Sequence, residues 1–171
     1  NKASMRILEI GVGSGCIILS ILKEKKKFFG IGIDISTQSL KISEINSHKL
    51  GVNRRLKLFK SNIDNFNTGK YDLIISNPPY INNVELNRLD DDIKLHEPKL
   101  ALSGGSNGFR DLKKVIIKSR ELLKIKGKLI LEIGHKHKNQ CFKILNENKF
   151  YINKISKDLS GKDRCIVSTK L

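Results

Sequence analysis

The sequence has few cysteines, few prolines and no long hydrophobic run. Cys16, Cys141 and Cys165 are odd in number and far apart, without Cys-x-x-Cys spacing. This pattern argues against a disulfide scaffold or a metal site and fits a reducing cytoplasm. Apolar runs such as CIILSIL are far shorter than the roughly 20 residues that span a bilayer, so we expect no membrane contact. NKASMRILEIG enters a strand-like run almost at once, so we expect no signal peptide and further residues upstream.

Acidic residues are scarce relative to basic ones, with 17 Asp and Glu against 33 Lys and Arg in 171 residues. The resulting net charge of +16 is typical of proteins that bind RNA, DNA or a ribosome-associated complex. Composition offers another explanation, because Lys, Ile and Asn are all frequent and the lysines are scattered. The only dense run is KEKKK at residues 23–27. The sequence favours the compositional explanation and leaves proximity to RNA or the ribosome open.

What the sequence does contain is an alternation of strand-like and helix-like segments. Strand patterns cover residues 6–10, 28–34, 55–60, 71–76 and 128–134, and two closing strands are joined by SGKD. Helical spacing covers residues 15–27, 109–124 and 135–149, and a further helix runs from an N-cap at Ser36 to a stop at Gly51. Strands that alternate with helices predict one α/β domain over residues 1–171. Its sheet is mostly parallel, with an antiparallel last strand.

A glycine-rich loop follows the first predicted strand. Its spacing, Gly11-Val-Gly13-Ser-Gly15, is neither the dinucleotide pattern G-x-G-x-x-G nor a phosphate-binding P-loop, which needs Lys-Ser/Thr. Asp34 closes the second strand, where a carboxylate can accept hydrogen bonds from both hydroxyls of a ribose. A glycine loop and a ribose acid without a phosphate cradle favour a nucleoside ligand, and S-adenosylmethionine fits.

The segment YDLIISNPPYI ends a buried strand in Asn77-Pro78-Pro79-Tyr80. The prolines fix the backbone and remove its N–H donors. A planar NH2 group could donate one hydrogen to the Asn77 side-chain oxygen and the other to the Pro78 carbonyl, while the Tyr80 ring packs on the planar group. Two such acceptors stabilise the charge that develops when an amide or exocyclic amine attacks a sulfonium methyl. The pattern predicts an amino-group methyltransferase.

The motifs EIGVGSG, GIDIS, YDLIISNPPYI, HEPKLALSGGSNG and GKLILEIGH together resemble the catalytic domain of HemK-type glutamine N5-methyltransferases. Members of that family methylate the glutamine of the GGQ motif in peptide chain release factors. NPPY is shared with adenine-N6 DNA methyltransferases, whereas HEPKLALSGGSNG is far more specific. The resemblance implies a Rossmann-like seven-stranded sheet of the class I S-adenosylmethionine-dependent type. It also implies an N-terminal helical domain that this sequence does not include.

The resemblance also implies roles for individual residues. The residues predicted to bind the cofactor are Glu9, Gly11, Val12, Gly13, Ser14, Gly15, Asp34, Asn62, Ile63 and Asn77. Those predicted to hold the substrate glutamine are Asn77, Pro78, Pro79, Tyr80 and Glu97, of which Asn77, Pro78 and Tyr80 are predicted to be catalytic. Asn62 departs from the family pattern, which has Asp facing the adenine amino group, and Ile63 offers less area to adenine than an aromatic residue. Glu97 is expected to brace the substrate loop through backbone hydrogen bonds.

Three alternatives remain at this point. A glutamine methyltransferase acting on a ribosomal protein has a nearly identical catalytic domain. An adenine-N6 nucleic-acid methyltransferase is supported by NPPY and by the positive charge, although 171 residues leave no room for a target-recognition domain. A module that binds S-adenosylmethionine without catalysis is disfavoured by the intact Asn77, Tyr80 and Asp34.

Overall fold

A computed structural model of the chain describes residues 4–79 and 109–171. In these residues one seven-stranded sheet has the strand order β3-β2-β1-β4-β5-β7-β6. Its strands are β1 (Arg6–Ile10), β2 (Phe29–Asp34), β3 (Leu56–Lys60), β4 (Tyr71–Ser76), β5 (Leu123–Glu132), β6 (Phe150–Lys157) and β7 (Asp163–Lys170). The first five strands are parallel, and β7 runs antiparallel to both β5 and β6. The predicted fold class, a mostly parallel sheet with an antiparallel last strand, is confirmed.

Helices pack on the sheet where the sequence has helical spacing. The helices of the described residues are α1 (Cys16–Glu24), α2 (Thr37–Lys49), α3 (Arg110–Leu122) and α4 (Lys138–Glu147), with short 3-10 turns at Asn53–Arg55 and Ile63–Asn65. The Ser36 hydroxyl accepts a hydrogen bond from the Ser39 N–H at 3.1 Å, so Ser36 is the predicted N-cap of α2. Gly51 follows the last turn of α2 with φ of 66°, as predicted for a stop.

The two faces of the sheet are buried against different helices, which explains the continuous apolar runs of the central strands. On one face, Ile7 of β1 joins a buried cluster with Ile18, Leu19 and Leu22 of α1. On the other face, the next residue, Leu8, belongs to a larger cluster that includes residues of α3 and α4. Because side chains alternate along a strand, a strand covered on both faces has apolar residues at successive positions, such as Ile7 and Leu8.

Several predicted boundaries were wrong. The helices expected over residues 15–27 and 135–149 are shorter, at Cys16–Glu24 and Lys138–Glu147, and the largest difference lies at β5. The helix expected over residues 109–124 ends at Leu122, and β5 begins at Leu123 instead of Lys128. Leu123 pairs with Tyr71 of β4, and the register shifts before Lys128 pairs with Leu73. Lys126 has φ of 62° within this shift. The extra residues therefore form an irregular start of the strand, where the sequence KIKG had suggested the end of a helix.

Within the described residues, no helix has both the length and the apolar character needed to cross a membrane.

Candidate active site

The carboxyl ends of the parallel strands bring the predicted site residues that the structure describes to one edge of the sheet. Ile10 at the end of β1 pairs with Ile33 of β2 on one side and with Ser76 of β4 on the other. The glycine loop, Asp34 and Asn77 therefore follow neighbouring strand ends. Ligands of open α/β sheets bind outside this edge, between strands whose connections leave in opposite directions.

The glycine loop is fixed to the end of β2 by backbone hydrogen bonds. The N–H groups of Gly11 and Val12 both donate to the carbonyl of Ile33, at 2.9 and 3.0 Å. Gly13 has φ of 55°, and among the described atoms none lies within 4 Å of where a Cβ on Gly13 would be. Gly15 has φ of 83°, and its Cβ would lie 2.5 Å from the Ser43 hydroxyl. Gly13 therefore leaves space for a ligand, whereas Gly15 lets α1 approach α2 closely.

Asp34 is held by two backbone donors. Its Oδ2 accepts a hydrogen bond from the Gly13 N–H at 2.9 Å, and its Oδ1 accepts one from the Ser36 N–H at 2.8 Å. The side chain is half-buried, so its orientation is set by the loop on one side and by α2 on the other. A carboxylate can accept about four hydrogen bonds, so both oxygens keep capacity for the hydroxyls of a ligand.

Glu9 lies beneath the glycine loop and is only 3% exposed. Its Oε2 accepts a hydrogen bond at 3.0 Å from the N–H of Ile18, the third residue of α1. Gly15, at the N-cap of α1, has no side chain to satisfy that donor, so Glu9 supplies the acceptor from β1. Burial raises the pKa of the Glu9 carboxyl from 4.5 to about 8; the Ile18 N–H lowers it, and the charge of Asp34 raises it further. Glu9 is thus mainly protonated at neutral pH.

The segment after β3 places Asn62 and Ile63 at the same edge. The N–H of Ser61 donates to the carbonyl of Asp34 at 3.0 Å, which joins this segment to the end of β2. The Asn62 Oδ1 accepts a hydrogen bond from the Asp64 N–H at 2.8 Å and caps a 3-10 turn. Ile63 is partly buried against the larger apolar cluster. One lone pair of the Asn62 oxygen is therefore used within the fold, and the roles predicted for Asn62 and Ile63 toward adenine stay predictions.

Beyond β4, a buried hydrogen bond fixes the start of the Asn-Pro-Pro segment. The Ser76 hydroxyl donates to the carbonyl of Ile10 at 2.9 Å and so joins the ends of β4 and β1. Asn77 is exposed, Pro78 is buried and Pro79 is half-buried. The Asn77 side chain is therefore exposed to solvent at the same edge of the sheet as the glycine loop.

Some predicted residues fall outside the described ranges. Tyr80 and Glu97 lie there, as does the motif HEPKLALSGGSNG, and their predicted roles stay predictions. Among the described residues, no group of three or more His, Cys, Asp or Glu could hold a metal ion. Two grooves occur away from the predicted site, one of about 350 Å³ between α2 and β3 and one of about 550 Å³ beside Tyr151. Neither includes a predicted site residue.

Sequence reasoning missed two contacts that shape the site. It grouped Glu9 with the cofactor-binding residues, which stays a prediction, and did not anticipate that Glu9 Oε2 accepts a hydrogen bond from the Ile18 N–H of α1. It gave no role to Ser76, whose hydroxyl fixes the position of Asn77. The only sequence signal for either contact was a polar residue near the end of an apolar strand, Glu9 before the last residue of β1 and Ser76 at the end of β4.

Comparison with known proteins identifies relatives over almost the whole chain. A family model described as "Methyltransferase domain" matches residues 1–167. A release factor glutamine methyltransferase of Fusobacterium nucleatum is 37% identical, over 96% of this chain and 47% of that protein. A bifunctional methyltransferase of Rickettsia felis is 34% identical, over 98% of this chain and 32% of that protein. The predicted resemblance to release factor glutamine methyltransferases is therefore confirmed. The chain spans about a third to just over half of the length of such curated relatives.

Solved structures confirm the fold. The ribosomal protein L11 methylase of Lactobacillus delbrueckii subsp. bulgaricus superposes with a TM-score of 0.74 at 20% identity, over 99% of this chain and 72% of that one. The magnesium protoporphyrin IX methyltransferase of Synechocystis, solved with bound S-adenosylmethionine, gives a TM-score of 0.68 at 16% identity, over 98% and 71% of the two chains. At these identities the likeness concerns the fold alone, which is the predicted class I methyltransferase type.

Proposed function

Because the chain belongs to the methyltransferase domain family, we propose that it methylates the side-chain amide nitrogen of the glutamine in the GGQ motif of a peptide chain release factor, using S-adenosylmethionine. The observation that carries this proposal is the exposed Asn77, followed by two prolines and fixed beside the glycine loop by the Ser76–Ile10 hydrogen bond. The curated relatives named release factor glutamine methyltransferases support the choice of substrate.

The residues at this edge fit S-adenosylmethionine. The open side of Gly13 admits a ligand against the loop backbone, and the Asp34 oxygens have capacity left for two ribose hydroxyls. Asn62 and Ile63 follow the next strand, where the adenine would be held. The absence of a P-loop lysine suits a ligand without phosphate. When bound, S-adenosylmethionine supplies an electrophilic methyl group on a sulfonium.

Asn77 and Pro78 account for the choice of an amide as acceptor. An amide nitrogen is a weak nucleophile, because its lone pair is delocalised into the carbonyl group. The Asn77 side-chain oxygen and the Pro78 carbonyl would each accept one of its hydrogens and so stabilise the positive charge that develops on the nitrogen. Neither proline has an N–H to compete for these oxygens. Holding the nitrogen in line with the methyl group supplies much of the remaining rate enhancement, and the excess proton can leave to solvent afterwards.

The test is a transfer assay with methyl-labelled S-adenosylmethionine and three separate acceptors: a release factor, ribosomal protein and DNA. We expect label in the release factor. Label only in DNA would overturn the proposal in favour of an adenine-N6 methyltransferase. Label only in the ribosomal protein would overturn it in favour of a glutamine methyltransferase that acts on ribosomal protein.

Asn77→Ala tests the proposed role of the Asn77 side-chain oxygen as an acceptor for the substrate amide. We expect transfer to be largely abolished while the Kd for S-adenosylmethionine, measured by calorimetry, changes by no more than a few-fold, because losing one transition-state acceptor costs about 100-fold or more. Asn139→Ala, an exposed asparagine on α4, is the matched control and should behave as wild type. Weak cofactor binding with normal turnover at saturation would contradict the role given to Asn77.

A further inference from the structure

Among the described residues, the excess of positive charge is greatest at the edge of the sheet opposite the candidate active site. We call this the basic edge, meaning the described segments at which the parallel strands begin. It comprises residues 23–28, 49–55, 70–72, 120–126 and 147–149, with Arg6 and Lys170. These positions hold fourteen Lys or Arg and four Asp or Glu. The fold therefore brings 14 of the 33 Lys and Arg, from segments far apart in the sequence, to one edge of the sheet.

The carboxyl edge, where the candidate active site lies, has no comparable excess. Its described segments are residues 60–64, 110–114, 132–138 and 157–164, with Glu9 and Asp34, and they hold nine basic and seven acidic residues. Ion pairs there include Lys114–Asp64, and Lys138–Asp163 at 2.9 Å. Uniform enrichment in lysine would charge both edges alike, so composition alone does not explain the asymmetry.

The ends of helices explain only part of the basic edge. The Arg55 guanidinium donates to the carbonyl of Leu22 at 2.7 Å, and Lys70 Nζ donates to the carbonyl of Glu121 at 2.6 Å. Such contacts are favourable because helix C-termini attract cations. These hydrogen bonds to carbonyl groups do not neutralise the cations, so the repulsion between neighbouring positive charges remains. Burial lowers the pKa of Lys170, and the nearby charges of Arg120 and Lys70 lower it further.

Several exposed lysines of the basic edge are unpaired among the described residues. Within the described residues, the side chains of Lys26, Lys27, Lys126 and Lys149 have neither an ion pair nor a hydrogen bond. Unpaired like charges on one side of a small protein repel one another and lower its stability. A polyanionic ligand would relieve this repulsion.

Exposed aromatic rings lie among these cations. Phe29, at the start of β2 after the lysine run, is 52% exposed, and Tyr151, near the start of β6, is 60% exposed. Tyr151 also borders the 550 Å³ groove, together with Lys149. β2 and β6 are separated by five strand spacings, roughly 24 Å at about 4.8 Å per spacing. Rings so far apart can contact separate parts of an extended ligand.

We propose that the basic edge binds single-stranded nucleic acid, with its lysines on the phosphates and with Phe29 and Tyr151 stacked on unpaired bases. Positively charged surfaces with interspersed aromatic rings are the usual means of binding single strands without sequence preference. A separation of roughly 24 Å suits the site sizes of four or more nucleotides that such surfaces cover. The site is distinct from the proposed methyl-transfer site and leaves it free for a protein substrate.

Fluorescence anisotropy with a labelled, unstructured RNA of roughly 20 nucleotides tests this proposal, with DNA of the same sequence and an RNA duplex measured in parallel. The edge variant K26Q/K27Q/K126Q/K149Q removes four unpartnered charges from the basic edge. The matched control, K41Q/K113Q/K143Q/K162Q, removes four exposed lysines elsewhere. Both variants change the net charge equally, so a long-range effect of charge alone predicts equal losses.

We expect the edge variant to bind single strands at least about tenfold more weakly, with the slope of log K against log salt reduced by about 2–3, since each phosphate contact contributes about 0.7. The control should stay within about twofold of wild type. F29A/Y151A should weaken binding of single strands several-fold and leave duplex binding unchanged, because duplex bases are not available for stacking. RNA binding tighter than DNA binding would identify RNA as the ligand, and the reverse would identify DNA.

Equal weakening in the edge and control variants would overturn the proposal. So would wild-type protein that does not bind single strands at about 100 mM salt, or that binds vesicles of anionic phospholipid in place of nucleic acid. Circular dichroism of each variant verifies folding. If the edge variant does not fold, K26Q/K27Q is compared with K41Q/K113Q by the same criteria. Methyl transfer to a protein substrate should be unchanged in the edge variant, so this proposal and the proposed function can fail separately.

Discussion

Replacing the buried Glu9 by Gln should stabilise the protein at neutral pH and remove a large part of its pH dependence. Burial raises the pKa of Glu9 from 4.5 to about 8 in the folded state. Between these two values the folded state binds a proton that the unfolded state does not. The contribution of Glu9 to the free energy of unfolding should therefore be most favourable below pH 4.5 and should fall as pH rises toward 8.

The magnitude follows from the size of the shift. One pKa unit corresponds to about 1.4 kcal/mol, so Glu9 should cost the folded state about 3 kcal/mol at about pH 7 and about 5 kcal/mol above about pH 8. In Glu9→Gln the amide oxygen can still accept the hydrogen bond from the Ile18 N–H, and no charge has to be buried. The variant should match the wild type at about pH 4.5 and should be more stable by about 3 kcal/mol at about pH 7.

Urea denaturation of both proteins at several values between about pH 5 and 8.5 measures this difference directly. Glu44→Gln, at an exposed carboxyl on α2, is the matched control and should stay within about 0.5 kcal/mol of wild type. A difference between Glu9→Gln and wild type that does not vary with pH would refute the reasoning. It would mean that Glu9 is ionised in the folded protein and that the start of α1 stabilises the carboxylate more than burial opposes it.

Two further substitutions test the glycine loop and its acid. Asp34→Ala removes the acceptor of the Gly13 N–H and the proposed partner of the ribose hydroxyls. Because hydrogen bonds to charged groups contribute about 1.5–3 kcal/mol, the Kd for S-adenosylmethionine, measured by calorimetry, should rise at least about tenfold. An unchanged Kd would exclude this role of Asp34. Gly15→Ala places a Cβ 2.5 Å from the Ser43 hydroxyl at a φ of 83° and should lower the free energy of unfolding by about 2–3 kcal/mol. Gly51→Ala, with a φ of 66° and open space around it, should lower the free energy of unfolding by only about 1 kcal/mol, and equal losses at Gly15 and Gly51 would show that packing is not involved.

The sequence predicted most of the sheet because its central strands are buried on both faces. A run such as residues 71–76 is apolar enough, and short enough between turn signals, to identify a buried strand. The start of β5 could not be predicted in this way. Leu123 follows α3 without a break in pattern, and only its pairing with Tyr71 makes it part of a strand. The positive φ of Lys126 gave no sequence signal, because non-glycine residues rarely adopt it.

The grouping of the glycine loop with Asp34 could be predicted from topology alone, since carboxyl ends of neighbouring parallel strands meet at one edge. The contact between the Glu9 carboxyl and the Ile18 N–H could not, because it depends on how α1 packs over the end of β1. The basic edge was also hidden in the sequence. Its charges come from segments far apart in the chain, and strand direction alone brings Lys26 and Lys149 to the same side.

The most direct test of the proposed chemistry is mass spectrometry of a release factor after incubation with S-adenosylmethionine and this protein. Methyl transfer to an amide held by Asn77 and Pro78 predicts one added methyl group, located by fragmentation on the side chain of the glutamine in the GGQ motif. The same peptide should remain unmodified with Asn77→Ala. A methyl group on another residue type would contradict the proposed function. So would a GGQ peptide left unmodified by wild-type protein that is folded and binds S-adenosylmethionine.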